Sequence, residues 1–87
     1  MKIKTGFVLR CVGGENVVVP VGEMSKVFRG MITLNETGAF LWNFFSLERS
    51  ENEAVEALLK EYDVDKEMAV KDVARFVKVL SENDFFE

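Results

Sequence analysis

Residues 32–42, Ile-Thr-Leu-Asn-Glu-Thr-Gly-Ala-Phe-Leu-Trp, divide the chain into two kinds of sequence. Before them, valine-rich runs are separated by turn residues; after them, apolar residues recur every three or four positions. Side chains repeat every two residues along a strand and every 3.6 around a helix, so strands should come first and helices second. Thr33 followed by Glu36 fits a capping box, in which the threonine oxygen accepts from an early helical N–H and the glutamate reaches back. That places a helix start at about Leu34, with Leu34, Gly38, Leu41 and Phe45 on one face. A glycine inside a helix costs about 1 kcal/mol against alanine. Gly38 is therefore expected where another backbone or a large side chain packs closely.

The segments on either side follow from the same periodicities. Residues 6–13 alternate as a strand, with Phe7, Leu9 and Cys11 on one face and Val8, Arg10 and Val12 on the other. Gly13, Gly14, Glu15 and Asn16 form a turn, and residues 16–21 return as a second strand. Pro20 has no N–H for a ladder, so regular pairing should end near Val19. Residues 21–26 read as a connection and residues 27–33 as a short third strand at the edge of a meander. The first helix is expected over residues 34–46 and is apolar on most sides. Ser50 with Glu53 is a second capping box, opening a helix to about Glu61. Asp65 can cap a third helix, from Lys66 to about Glu82, with a core stripe of Ala69, Val70, Val73, Phe76, Val77 and Leu80. The tail, Asp84-Phe85-Phe86-Glu87, is too apolar to hang free and should fold back on the core.

Eighty-seven residues make one small domain, which buries only about 60% of the surface of its unfolded chain. The apolar share of 48% and eight phenylalanines suffice for one core and are too many for a disordered chain. The N-terminus has no apolar run of signal-peptide length, and no stretch could span a bilayer. A soluble cytoplasmic protein is expected. Cys11, the only cysteine, cannot make an internal disulfide, and no histidine is present to activate it. It reads as a buried or half-buried structural thiol.

Tests for chemistry return little. There is no metal-type Cys/His spacing, no phosphate-binding glycine loop and no nucleophile elbow. The acidic group Asp63, Asp65 and Glu67 lacks the glycine and terminal glutamate of a calcium loop. No enzyme, cofactor or metal site is expected. A winged helix-turn-helix is compatible with three strands and three helices, but its would-be recognition helix mixes Lys66, Lys71, Arg75 and Lys78 with Glu67, Asp72, Glu82 and Asp84. With a net charge of −4, that balance argues against DNA. Peptide binding remains. An edge strand exposes unpaired N–H and C=O groups to which an extended peptide can add. Met68, Asp72, Arg75 and Val79 form a stripe beside the core stripe, offering two apolar groups and two charges as the opposite wall of a groove. Met68 and Val79 could equally be mere flanks of the core.

Three blocks of the sequence together resemble the PqqD family, that of the pyrroloquinoline quinone biosynthesis protein D. They are Gly6-Phe7-Val8-Leu9-Arg10; Met31 through Trp42; and Leu59-x-x-Tyr62-Asp63-Val64-Asp65 followed by Asp72-Val73-x-x-Phe76. The resemblance implies an α+β winged helix-turn-helix-like domain, a three-stranded antiparallel sheet followed by three helices. It implies a peptide-recognition element that binds the leader of a ribosomally made precursor peptide and presents it to a modifying enzyme, often a radical S-adenosylmethionine enzyme. The leader would pair with the third strand and lie against the third helix. On this chain the binding residues would be Val27, Phe28, Arg29, Gly30, Met31 and Ile32 of the edge, with Asp72, Arg75, Phe76 and Val79 of the helix. Asp72 follows the family's pattern; Arg75 and Val79 follow from helical position. The alternatives are a winged-helix nucleic-acid binder and a structural subunit of a larger enzyme. The exposed edge is compatible with a monomer or a dimer. Phe40 and Phe44 have no assigned role, either as core or as contacts for a partner enzyme.

Overall fold

Two glycines set the first turn. Gly13 and Gly14 have φ of +58° and +84°, the left-handed pair that a two-residue type I′ hairpin requires. They join β1 (Phe7–Val12) to β2 (Glu15–Pro20), with Val12 opposite Glu15 and Phe7 opposite Pro20. The computed structural model describes residues 1–27 and 32–87. Its sheet is completed by β3 (Ile32–Leu34), antiparallel to β2 in the order β1-β2-β3. The fold is the α+β one expected, a three-stranded antiparallel meander followed by helices.

The register shows where each backbone group points. Val21 donates its N–H to the Gly6 carbonyl at 2.8 Å. Hydrogen-bonded and non-bonded pairs alternate along an antiparallel ladder, so Val19, Val17 and Glu15 bond towards β1. Pro20, Val18 and Asn16 turn their polar groups to the other side. The pairs Val18–Ile32 and Asn16–Leu34 are then the bonded ones between β2 and β3. Pro20 stays in regular register with β1 beyond the expected stop at Val19. It can do so because its missing N–H lies on the β3 side, where the described pairing ends at Val18.

Two expectations at the start of the helical half are corrected. Val27 is not in a strand: it ends the one-turn helix α1 (Met24–Val27) and is 71% exposed. Gly22, at φ +59°, turns the chain, and Ser25 and Lys26 then donate to Gly22 and Glu23 at 3.1 and 3.2 Å. The apparent alternation of residues 27–33 was too short a pattern to separate strand from helix. Phe28, Arg29, Gly30 and Met31 lie outside the described residues. The helix start also moves. Leu34 belongs to β3, and α2 (Glu36–Phe44) is capped by Asn35, whose side-chain oxygen accepts from the Gly38 N–H at 2.8 Å. The Thr33–Glu36 box does not form, because Thr33 is held in the sheet opposite Val17 and Asn is the better cap. Helix α2 ends at Phe44, two residues earlier than expected.

The remaining helices follow the sequence closely. Helix α3 (Glu51–Glu61) opens with both arms of the Ser50–Glu53 box, at 3.1 and 2.8 Å. The Ser50 backbone N–H holds the Glu53 carboxyl below its ordinary 4.5. Helix α4 (Lys66–Glu82) is capped by Asp65, which accepts from the Met68 N–H at 2.8 Å. Ala69, Val73, Phe76, Val77 and Leu80 of α4 are buried, whereas Val70, at the margin of that stripe, is 45% exposed.

The core is largely aromatic. Phe45, wholly buried, stacks on Phe76 at 5.9 Å and meets Phe86 edge-on at 5.7 Å. The tail folds back as expected. Phe85 packs on Phe7 at 4.7 Å and Trp42 at 5.7 Å, and Phe86 bridges to Ile3. Cys11 is exposed rather than buried, because it sits opposite Asn16 beside a turn whose residues 12–15 are all exposed. Among the described residues, no helix is long and apolar enough to cross a membrane.

Candidate functional site

Both β1 and β3 are sheet edges, and it is the edge of β3 that meets a groove. Ile32 and Leu34 bond to β2, so the alternation aims the N–H and C=O of Thr33 away from the sheet. Beside this edge lies a groove of about 190 Å³. One wall is Thr33, Asn35 and Thr37; the other is Asp72, Arg75 and Val79 of α4; the floor is Leu34, Gly38, Leu41, Phe76 and Leu80. The strand, the α2 cap and α4 therefore converge on one cleft.

Gly38 keeps that floor open. A Cβ at this position would lie 3.1 Å from Asn35 Oδ1 and 3.2 Å from Leu34 Cβ. Asn35 Oδ1 is already fixed by the Gly38 N–H and the Thr37 hydroxyl, at 2.8 and 3.1 Å. The close neighbour that a helical glycine implied is thus the end of β3 and the cap itself.

Asp72 is half-buried and Arg75 exposed, one turn apart on the groove side of α4. Among the described residues neither forms an ion pair, although Glu67 and Lys71 on the same helix do, at 3.4 Å. Val79, beside them, is 43% exposed. The groove thus carries an anion, a cation and an incompletely buried apolar group in a row.

All four helix residues named from the sequence, Asp72, Arg75, Phe76 and Val79, line this groove. Met68, the first member of the proposed stripe, stands outside it and is 50% exposed. Of the six edge residues named, Ile32 is in β3, Val27 is at the end of α1, and the four between them are outside the described residues. Sequence reasoning put Thr33 in the edge strand but not among the binding residues, and missed the polar rim of Asn35 and Thr37. The signal was present: an Asn that caps a helix just after a strand must stand at the strand's end.

Phe40 and Phe44 lie elsewhere. Both are half-buried on the far side of α2, stacked at 6.3 Å, with Phe40 against Tyr62 at 5.6 Å and the Arg49 guanidinium 4.7 Å over Phe44. They join α2 to the two ends of α3. Burial, with Glu36 and Glu61 nearby, raises the Tyr62 phenol above its ordinary 10.0. Among the described residues, no cluster of His, Cys, Asp and Glu is arranged to hold a metal ion.

Comparisons with known proteins agree with this architecture. A structure of TbiB1 in complex with the TbiA(beta) leader peptide is 23% identical, with a TM-score of 0.74 over 100% of this chain and 95% of that one. A structure of lasso peptide synthetase B1 complexed with the leader peptide is 22% identical, with a TM-score of 0.70 over 94% and 91%. At these identities the likeness speaks for the fold. No curated protein matches the sequence. The family model of coenzyme PQQ synthesis protein D matches residues 15–85, most of the chain. This chain therefore belongs to the PqqD family.

Proposed function

We propose that this chain is a non-catalytic peptide-binding protein. Without a cofactor of its own, it takes the leader of a ribosomally made precursor peptide as an added strand on β3 and presents it to a modifying enzyme of the radical S-adenosylmethionine type. It works as a single domain in the cytoplasm. The observation that carries this reading is the meeting of an open strand edge at Thr33 with an apolar groove walled by Asp72, Arg75 and Val79. Strand addition needs both parts: main-chain bonds supply affinity and side-chain pockets supply selectivity. Support also comes from the family, and from two fold neighbours whose structures contain leader peptides. The peptide-binding residues are Ile32, Thr33, Asp72, Arg75, Phe76 and Val79.

The test is an NMR titration of isotopically labelled protein with the leader of a precursor peptide encoded beside this gene. Shifts confined to β3, the Asn35 cap and the groove side of α4 support the reading. Shifts spread over the Phe40–Tyr62 side, or salt-sensitive binding to duplex DNA with none to the peptide, overturn it.

A further inference from the structure

Asp72 and Arg75, which form no ion pair among the described residues, define a class of leader. From Asp72, Arg75 and Val79, resting on the peptide-binding reading above, we infer that the preferred peptide is charge-ordered. It carries a cationic side chain, then two residues on an anionic one, then two residues on an apolar one, read in one direction along the strand.

Three observations lead there. An extended peptide added to β3 turns every second side chain to the same face, about 6.6 Å apart. Along α4 the rise is about 1.5 Å per residue, so Asp72, Arg75 and Val79 stand about 4.5 and then 6 Å apart. For a strand that runs along α4, successive helix-facing peptide positions fall near successive helix residues, and the long arginine side chain takes up the difference at the first step. Second, Asp72 and Arg75 are spaced to bond each other across one turn and, among the described residues, do not. Their bonding capacity is uncommitted beside an apolar floor, where a covering peptide would strip water from both. A peptide lacking the complementary charges would leave them desolvated and unpaired, which is how such a site rejects the wrong ligand. Third, Val79 retains 43% exposure next to buried Phe76 and Leu80, so an apolar peptide side chain completes that end.

The test pans a random twelve-residue displayed peptide library against the whole chain. It is repeated against the charge-swapped variant Asp72→Arg/Arg75→Asp, whose folding is checked by thermal melting. The cation-x-anion-x-apolar order should be enriched on the native protein, and the two charges should exchange places on the swap. Should the swap not fold, the milder variants Asp72→Asn and Arg75→Gln serve with the best enriched peptide. Each should weaken it by between about two- and fivefold, as for a pair at the rim of an interface. Enrichment of apolar peptides with no charge order, the same order on both proteins, or no effect of the mild variants would overturn the inference and leave peptide binding intact. Failure of any peptide to enrich on the native protein would overturn the peptide-binding reading itself.

Discussion

Replacing Val79 by serine separates binding from folding, provided that Met68→Ser is measured beside it. The two residues stand on one helix and are almost equally exposed, 43% and 50%, but only Val79 lines the groove. Complete burial of such a side chain contributes about 2 kcal/mol. The buried half of each is lost from the folded protein, so both variants should be less stable by about 1 kcal/mol. They should part company on binding. A leader peptide in the groove covers the remaining 43% of Val79, which contributes about 0.9 kcal/mol, or about fourfold in Kd. Met68→Ser should leave Kd within a factor of about 1.5, since its exposed half stays in water. Urea unfolding gives the stabilities, and fluorescence anisotropy of a labelled leader gives the affinities. Equal weakening by both variants would show that the loss comes through stability. No weakening by Val79→Ser would place the peptide elsewhere.

Two further outcomes test the fold around the site. Phe85→Ala should cost about 3 kcal/mol, as for other buried phenylalanines. It should also shift the emission of Trp42, the only tryptophan, which loses the ring at 5.7 Å; an unchanged spectrum would mean that the tail is not docked. Tyr62 is the only tyrosine, so absorbance near 295 nm follows it alone. Its phenol is raised above 10.0, first by burial and then by Glu36 and Glu61. The unfolded chain therefore loses this proton first, and stability should be full below pH 10 and fall as pH rises through the folded value. Titration at the ordinary value in the folded protein would refute the burial.

Much of this arrangement could be read from the chain, and what could not has definite causes. Ser50 with Glu53, and Asp65 before a long amphipathic run, are local signals whose partners lie three residues away, so helices α3 and α4 were placed closely. The start of α2 was harder, because Thr33, Asn35 and Glu36 offer two competing caps. The choice was made by the pairing of Thr33 with Val17, a contact between residues far apart in sequence. Val27 differs from the expectation because the alternation begins at the residue that closes the helical turn Met24–Val27, after a glycine with positive φ. The α4 wall of the groove was legible from helical spacing. Of the two readings open for Met68, groove wall or flank of the core, its place outside the groove fits the second, since spacing gives direction around a helix but not where along it the groove stops. That Thr33, rather than Ile32 or Leu34, turns its backbone to the open edge follows from register alone.

Thr33 also offers the most direct test of the central claim. Its amide faces the open edge, so in the free protein it should exchange with solvent faster than those of Ile32 and Leu34, which face β2. In the presence of a leader peptide at a hundredfold excess over Kd, strand addition predicts that Thr33 exchange slows by up to about a hundredfold. If the peptide saturates the protein and the Thr33 amide exchanges as before, the leader does not bind as a strand on this edge, and the account is wrong.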